Sequence, residues 1–372
     1  MKTRLPDYGR SNLALANSVL ARFGVTPHHE TEPTFDQALC PREGRAPRSA
    51  VILLFDGLGM TMLEKHLPAR SFLRRHLVTE LSAVFPPTTV AATGSIQSGL
   101  TPLEHGRLGW FLWFPEAGEN YSIFMNEGEE SHAPYAPGNP GELYLRYENL
   151  GDQIRAVRPE VEYFEVSPFG SEKAYSAAEV CRKIRRLCRR PGERFLYGYW
   201  TGPDHDVHDL GTDHPKIRRE VRAIDRTVRR MCRGLRDTAV AVTADHGLLT
   251  VDWVVLDEYP ELLAMLRAPY CSVESRACAL FVKEECLAAF PAKFNELLGG
   301  RFRLFSREEA LRLGLFGPGE AHPRAESFLG DFLAAATDRY CLSLHRDPNP
   351  LRGQHAGLTE DEMRVPFILI RK

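Results

Sequence analysis

Four short runs of apolar residues constrain the fold of this 372-residue chain more than any other feature of its sequence. They occupy residues 49–59, 192–206, 238–247 and 364–372. Continuous apolar runs of this kind are typical of parallel strands buried on both faces. The segments 176–190 and 214–235 repeat apolar residues three and four positions apart, which predicts amphipathic helices. Strands that alternate with helices predict an α/β fold with a largely parallel sheet.

The length of the chain predicts more than one compact unit, because a single hydrophobic core usually stops growing below this size. Residues 48–260 and 346–372 contain the apolar runs and are expected to form the main domain. Residues 1–47 contain one helical segment near 11–23 and a Pro-rich, charged connector. The segment 261–345 is predicted to form an inserted cap subdomain, because its strands lack acidic ends; an extension of the main sheet is the alternative.

Composition, charge and the length of the apolar runs argue against several classes of partner. A net charge of −2 and 43% hydrophobic residues are ordinary for a soluble globular protein and indicate no polyanion partner. The Arg-rich helices could face nucleic acid, but arginine on the solvent face of an amphipathic helix is far commoner. No apolar run reaches the roughly 20 residues of a membrane span, and no signal peptide is recognisable, so we expect a cytoplasmic protein without a membrane partner.

The cysteines are expected to be reduced packing residues. The chain has 8 cysteines and no CxxC pair, which argues against a zinc finger and, at this length, against a disulfide scaffold. The sequence does not determine the oligomeric state.

Acids and histidines gather where the predicted strands end. They are Asp56, Asp204, His208, Asp245, His246 and His355. Each alone could be a turn or cap residue. Together they lie where ligands bind in α/β folds, and three carboxylates with three imidazoles suit two divalent transition metals.

A pair of threonines, Thr88 and Thr89, opens a predicted helix in the stretch FPPTTVAATG. One of them could cap the helix by accepting hydrogen bonds from free backbone amides. A helix N-terminus also favours an anion, so a hydroxyl there could instead face a phosphate. The residues alone leave both interpretations open.

These motifs, in this order, resemble the alkaline phosphatase superfamily and within it the nucleotide pyrophosphatases/phosphodiesterases. The resemblance covers 48–260 and 346–372 and implies a catalytic, alkaline-phosphatase-like three-layer sandwich with a mostly parallel central sheet and a smaller inserted α+β cap subdomain. It implies two divalent metals, with zinc favoured and manganese an alternative. One metal is expected at Asp56, Thr89, Asp245 and His246, and the other at Asp204, His208 and His355.

The resemblance also implies a mechanism. Thr89 is expected to be the catalytic nucleophile because it lies ten residues before Gly99, as in the family; Thr88 is the alternative. A phospho-threonine intermediate and its hydrolysis by water then cleave a phosphodiester or pyrophosphate bond in a small-molecule substrate. The neighbouring residues His205, Asp206, Asp209, Asp213 and His214 either orient the ligand imidazoles or lie in a solvated loop.

One position departs from the family pattern. Trp110 stands where nucleotide-cleaving relatives carry an asparagine that binds the phosphate, and an indole donates a single N–H. We expect Trp110, with the aromatic run 109–114, to bind the substrate. No Arg or Lys appears in the nucleophile motif before Arg107, which favours diesters or pyrophosphates with an aromatic or nucleoside group over monoesters.

Other functions remain open at this point. A phosphomonoesterase and a phosphonoacetate-hydrolase-like enzyme that cleaves a C–P bond would use a similar site. A catalytically quiet, metal-stabilised binding module is the alternative from another class. Sulfatases are disfavoured because their modifiable Cys-x-Pro-x-Arg motif is missing, and the sequence does not identify the leaving group.

Overall fold

Two seven-stranded sheets organise the chain in the computed structural model, which describes residues 1–372. The strands are β1 Ser49–Phe55, β2 Leu77–Ser82, β3 Phe111–Phe114, β4 Glu119–Ser122, β5 Glu127–Gly128, β6 Glu162–Ser167, β7 Glu172–Lys173, β8 Arg194–Trp200, β9 Thr238–Thr243, β10 Leu249–Thr250, β11 Asp252–Val255, β12 Leu266–Glu274, β13 Ala277–Val282, β14 Phe302–Ser306, β15 Phe332–Ala336, β16 Tyr340–Ser343, β17 Gly353–Gln354 and β18 Arg364–Arg371.

Helices connect and cover these strands. They are α1 Leu13–Arg22, α2 Pro33–Leu39, α3 Met60–His66, α4 Phe72–Arg75, α5 Thr89–Ser98, α6 Pro102–His105, α7 Pro140–Tyr144, α8 Leu150–Val157, α9 Ala177–Leu187, α10 Asp204–Leu210, α11 Pro215–Cys232, α12 Pro260–Leu263, α13 Phe290–Leu298, α14 Arg307–Arg312, α15 Ala325–Phe328 and α16 Glu360–Met363. None of them combines the length and the apolar character that crossing a bilayer requires.

The main sheet has the strand order β2-β18-β9-β1-β8-β6-β7. Strand β1 pairs in parallel with β8 and β9, and β18 is the antiparallel member. All seven residues of β1 are buried, so layers of structure must cover both faces of the sheet. The four apolar runs form β1, β8, β9 and β18, which confirms the predicted α/β fold with a mostly parallel central sheet.

The second sheet is antiparallel and has the order β14-β15-β13-β12-β3-β4-β5. The segment 261–345 supplies four of its strands, and the segment 111–128 supplies the other three. The aromatic run before and within β3 therefore belongs to this sheet, and Phe114 is buried in its core. The division of the chain into a main domain and a cap at 261–345 stays a prediction.

The first 47 residues pack against the main sheet. Helix α1 occupies the predicted helical segment and buries every residue from Leu13 to Leu20. The expected connector also contains α2, because the Glu32 side chain accepts a hydrogen bond from the Phe35 amide and Pro33 lies at the first helical position. Just before α1, the Asn12 side chain donates to the carbonyl oxygens of two residues that follow β9, Ala244 at 3.2 Å and Asp245 at 3.1 Å.

A buried ion pair joins the second sheet to helix α16, which directly precedes β18. Arg276, between β12 and β13, donates to both carboxylate oxygens of Glu362 at 2.6 and 2.8 Å, and both side chains are inaccessible to solvent. Glu362 also accepts hydrogen bonds from the amides of Gly357 and Thr359 at 2.6 and 3.2 Å. One carboxylate therefore fixes the loop that contains His355.

We expect Glu362→Ala to lower the free energy of unfolding by about 3–5 kcal/mol, because it leaves a buried guanidinium without its partner. Urea unfolding followed by circular dichroism measures this loss. Asp252→Ala is the control: it breaks an exposed pair with Arg339 and should cost about 1 kcal/mol or less. Equal, small losses in both variants would contradict the structural role of Glu362.

Candidate active site

Three neighbouring strands bring their carboxyl ends together. Asp56 follows β1, Asp204 follows β8, and Asp245 with His246 follows β9. Because β1 lies between β8 and β9, these residues meet at one edge of the main sheet. All four are buried, His246 and Asp245 completely. The parallel sheet thus concentrates three carboxylates in a site of low solvent access.

Thr89 faces this group from the N-terminus of α5. Its hydroxyl lies 3.4 Å from each carboxylate oxygen of Asp56 and 3.2 Å from Nε2 of His246. Thr88 has the backbone geometry of a capping residue, but its hydroxyl donates elsewhere, to Glu274 Oε1 at 2.6 Å. Neither hydroxyl caps α5, so the first-turn amides of this helix are open to an anion.

A second group adjoins the first. Asp204 begins α10, and His208 lies one turn later, with Nε2 3.0 Å from Asp204 Oδ2. His355 completes the group, with Nε2 3.9 Å from Asp204 Oδ1 and its ring stacked on His246 at a centroid distance of 3.8 Å. The next residue, Ala356, has φ 92°, a strained conformation that the buried Glu362 contacts hold in place.

The ligand atoms converge in two overlapping clusters. Asp56, Asp245 and His246 place ligand atoms within 4.8 Å of one another, and so do Asp204, His246 and His355. His246 is common to both clusters, whereas His208 reaches the second one through Asp204. The structure therefore brings all seven predicted ligand residues into one site. It does not itself divide them between two ions in the predicted way.

Backbone carbonyl oxygens orient the three imidazoles so that Nε2 of each faces the carboxylates. Each Nδ1 contacts a backbone carbonyl oxygen: His246 that of Gly247 at 3.0 Å, His208 that of Gly353 at 2.8 Å and His355 that of Pro87 at 3.2 Å. A carbonyl oxygen only accepts, so Nδ1 carries a proton and donates it, which leaves Nε2 as the nitrogen that faces the carboxylates and that a metal ion would bind. Backbone carbonyls therefore orient the ligand imidazoles, which is the role that the sequence suggested for the residues next to Asp204 and His208.

The carboxylates also fit a cation. Oδ1 of Asp204 and Oδ2 of Asp245 are buried without any hydrogen-bond partner. The other oxygen of Asp245 accepts two backbone hydrogen bonds of 3.0 Å, from Gly57 and His246. Burial raises the pKa of Asp56, and the negative charges of Asp245 and Asp204 raise it further. A bound cation would satisfy the free oxygens and remove this repulsion, so the residues suit divalent metals with imidazole and carboxylate ligands.

A cavity of about 980 Å³ opens above these residues, and aromatic rings form part of its wall. Trp110 stacks on Phe124 at 5.5 Å between ring centroids, and Phe124 meets the edge of Phe169 at 5.3 Å. Phe124 is 39% exposed and Phe169 is 55% exposed, which is unusual for such large apolar side chains. The cavity therefore combines a charged floor with an apolar wall.

The wall holds little positive charge. Of the aromatic run 109–114, only Trp110 and Phe111 line the cavity. The Arg107 guanidinium lies over the Tyr147 ring and donates to the Leu145 carbonyl oxygen, outside the cavity. Arg346 is the single Arg or Lys in the wall, and it pairs with Glu258.

Two residues of the site, Tyr199 and Glu274, were not predicted from the sequence. Tyr199, near the end of β8, donates its hydroxyl to Asp56 Oδ2. Tyr199 lies one residue before the end of β8, where the site residues gather, and this position could have indicated its role. Glu274, the last residue of β12, accepts hydrogen bonds from Thr88 and Trp110, and burial raises its pKa to about 7. Glu274 lies far along the chain from every motif, so no local pattern indicates it.

The chain is similar to known proteins in sequence and in fold. The family model described as type I phosphodiesterase / nucleotide pyrophosphatase matches residues 50–357. Murine ectonucleotide pyrophosphatase / phosphodiesterase 5 has a similar fold, with a TM-score of 0.63 and 16% identity over 86% of this chain and 87% of that one. The human protein gives 0.63 and 17% over the same shares.

A further murine structure, an inactive threonine-to-alanine variant in complex with AMP, gives a TM-score of 0.64 and 15% identity over 86% of this chain and 87% of that one. At such identities the solved structures show a common fold. No curated protein sequence matches the chain significantly.

We expect zinc-loaded protein to retain two ions per chain after gel filtration, as measured by plasma mass spectrometry. Asp56→Ala and His208→Ala should each remove about one ion, because each deletes a ligand from a different part of the site. His132→Ala, which removes an exposed imidazole from the same cavity, is the control and should change nothing. The metal site would be contradicted if wild-type protein held no metal and if neither zinc nor manganese raised its hydrolytic activity.

Proposed function

The chain belongs to the type I phosphodiesterase / nucleotide pyrophosphatase family, and we propose that it cleaves phosphodiester or pyrophosphate bonds of small molecules through a phospho-threonine intermediate on Thr89. A phosphodiesterase-type hydrolase is what the family assignment establishes. The observation that carries the finer proposal is the Thr89 hydroxyl, which points at Asp56 and His246 instead of capping its helix.

The proposed ligands divide between two ions. Asp56, Thr89, Asp245 and His246 would hold one, and Asp204, His208 and His355 would hold the other. Zinc is the favoured ion because it binds imidazole and carboxylate ligands, with manganese as the alternative. When bound, the ions would lower the pKa of the nucleophilic hydroxyl and offset the negative charge of the phosphate.

The residues of the chain supply the remaining steps. The Thr89 oxygen would form a bond to phosphorus while the bond to the leaving-group oxygen breaks. The first-turn amides of α5 would face a phosphate oxygen. Water would then attack the phospho-threonine, which restores the hydroxyl and releases a phosphate monoester.

The cavity wall supports a substrate with an aromatic or nucleoside group. Trp110 and Phe124 would stack on that group, because flat apolar rings favour such contacts. A murine relative is solved in complex with AMP, which supports a nucleotide as the kind of substrate. The single, paired guanidinium of the wall supports diesters and pyrophosphates over monoesters, which carry an additional charge.

We also infer a reducing, cytoplasmic location. All eight cysteines are free thiols, and five of them are buried. Extracellular proteins commonly pair their cysteines in disulfides, whereas cytosolic thiols stay reduced.

We expect Thr89→Ala to lower kcat for an aryl phosphodiester by about 1000-fold or more, because it removes the attacking oxygen. Thr88→Ala should cost about tenfold or less, since it removes one hydrogen bond of a neighbouring residue. Both proteins should retain metal by plasma mass spectrometry. If Thr88→Ala is the more damaging variant, the nucleophile is Thr88.

We expect Trp110→Ala to raise KM for an aryl diester about five-fold more than for a small methyl ester, because only the aryl group loses a stacking partner. Steady-state kinetics on both esters measures this. Trp253→Ala, which removes another cavity tryptophan outside the Trp110–Phe124 stack, is the control. Higher kcat/KM for aryl monoesters, with equal effects on both diesters, would favour a phosphatase or phosphonate hydrolase.

A further inference from the structure

Glu274 connects the second sheet to the nucleophile. Its Oε1 accepts a hydrogen bond from the Thr88 hydroxyl at 2.6 Å and another from the Trp110 amide at 2.8 Å. Thr88 directly precedes the proposed nucleophile, and Trp110 directly precedes β3. One carboxylate oxygen of the second sheet thus ties together the start of α5 and the aromatic wall of the cavity.

The backbone around Glu274 is shaped for this contact. The preceding residue, Val273, has φ 76°, a conformation that β-branched residues avoid. A Cβ on Gly109 would lie 2.4 Å from the Val273 carbonyl oxygen, so only glycine allows β12 and the start of β3 to approach this closely. Such strain persists where surrounding contacts fix it, and here it aims the Glu274 carboxylate at Thr88 and Trp110.

Glu274 forms no salt bridge with any side chain. Both of its hydrogen-bond donors are neutral groups, a hydroxyl and a backbone amide. Its other oxygen, Oε2, makes no hydrogen bond within the protein. Glu274 is partly exposed and lines the same cavity as Thr89. The only guanidinium in the wall, that of Arg346, is engaged by Glu258.

We infer that Glu274 is the specificity-determining residue of this active site: its carboxylate repels doubly charged phosphate monoesters and so selects phosphates that carry a single negative charge at the point of attack. The inference rests on the proposed phosphodiesterase function. Repulsion between like charges grows with the charge of the substrate, so a carboxylate beside the nucleophile penalises a dianion more than a monoanion. The same residue positions Thr88 and Trp110 through Oε1.

The kinetic test compares Glu274→Gln, which keeps a hydrogen-bond acceptor and removes the charge, with Glu274→Ala, which removes both. The substrates are p-nitrophenyl phosphate and methyl p-nitrophenyl phosphate at pH 8.5, with zinc-loaded protein. Glu274→Gln should raise the monoester-to-diester ratio of kcat/KM about tenfold or more and keep diester kcat within about threefold. Glu274→Ala should also lower diester kcat, because Thr88 and Trp110 lose their acceptor.

Glu129→Gln is the matched control. It removes the same charge from the same cavity, at a residue that accepts a hydrogen bond from Asn120 and forms none with Thr88 or Trp110, and it should leave the ratio unchanged. An unchanged ratio in Glu274→Gln, or an equal shift in Glu129→Gln, would overturn the inference.

A binding measurement separates this inference from the proposed function. In zinc-loaded Thr89→Ala protein, calorimetry compares AMP, a dianionic monoester, with its monoanionic methyl ester. Adding Glu274→Gln should tighten AMP binding about tenfold more than methyl-ester binding. If this shift occurs although wild-type protein cleaves no ester, the proposed function fails and the inference stands. If wild-type protein cleaves diesters and neither ratio shifts, the inference alone fails.

Discussion

The register of three parallel strands is the constraint on which the rest of the structure depends. Phe55 at the end of β1 pairs with Trp200 of β8, and Leu54 pairs with Thr243 of β9. This pairing ends the three strands at one level, so the residues that follow them converge. A slip by one residue would turn every side chain to the opposite face of the sheet. The position of the carboxylates is therefore set by backbone hydrogen bonds and by the burial of β1.

Convergence of this kind has an electrostatic cost that explains other features of the site. Three buried carboxylates repel one another, and burial itself disfavours their charged forms. The surrounding structure opposes the repulsion with directed donors: the amides of Gly57 and His246, and the Tyr199 hydroxyl. Two carboxylate oxygens are still left without partners. Divalent cations would satisfy these oxygens and offset the repulsion, in keeping with metal-dependent hydrolysis in this family.

The two sheets contribute different chemistry. The main sheet places the proposed ligands and the nucleophile, whereas the second sheet supplies Trp110, Glu274 and the ion pair that holds the loop of His355. Sequence patterns indicated that acids gather at one edge of the main sheet, because Asp56, Asp204 and Asp245 come shortly after apolar runs that are visible locally. They indicated Trp110 but missed Glu274 and the ion pair, because the pairing of Phe111 with Val273 joins segments far apart in the chain. The carbonyls that orient the imidazoles also have no sequence signature, since every residue carries one.

The central claim is that cleavage proceeds in two steps through Thr89, and the stereochemical course at phosphorus tests it most directly. A phosphorothioate diester of one configuration, hydrolysed in ¹⁸O-labelled water, reports whether the product retains or inverts that configuration. Each in-line displacement inverts phosphorus, so attack by Thr89 followed by attack of water predicts net retention. Net inversion would show that water attacks the substrate directly, and it would contradict the assignment of Thr89 as nucleophile.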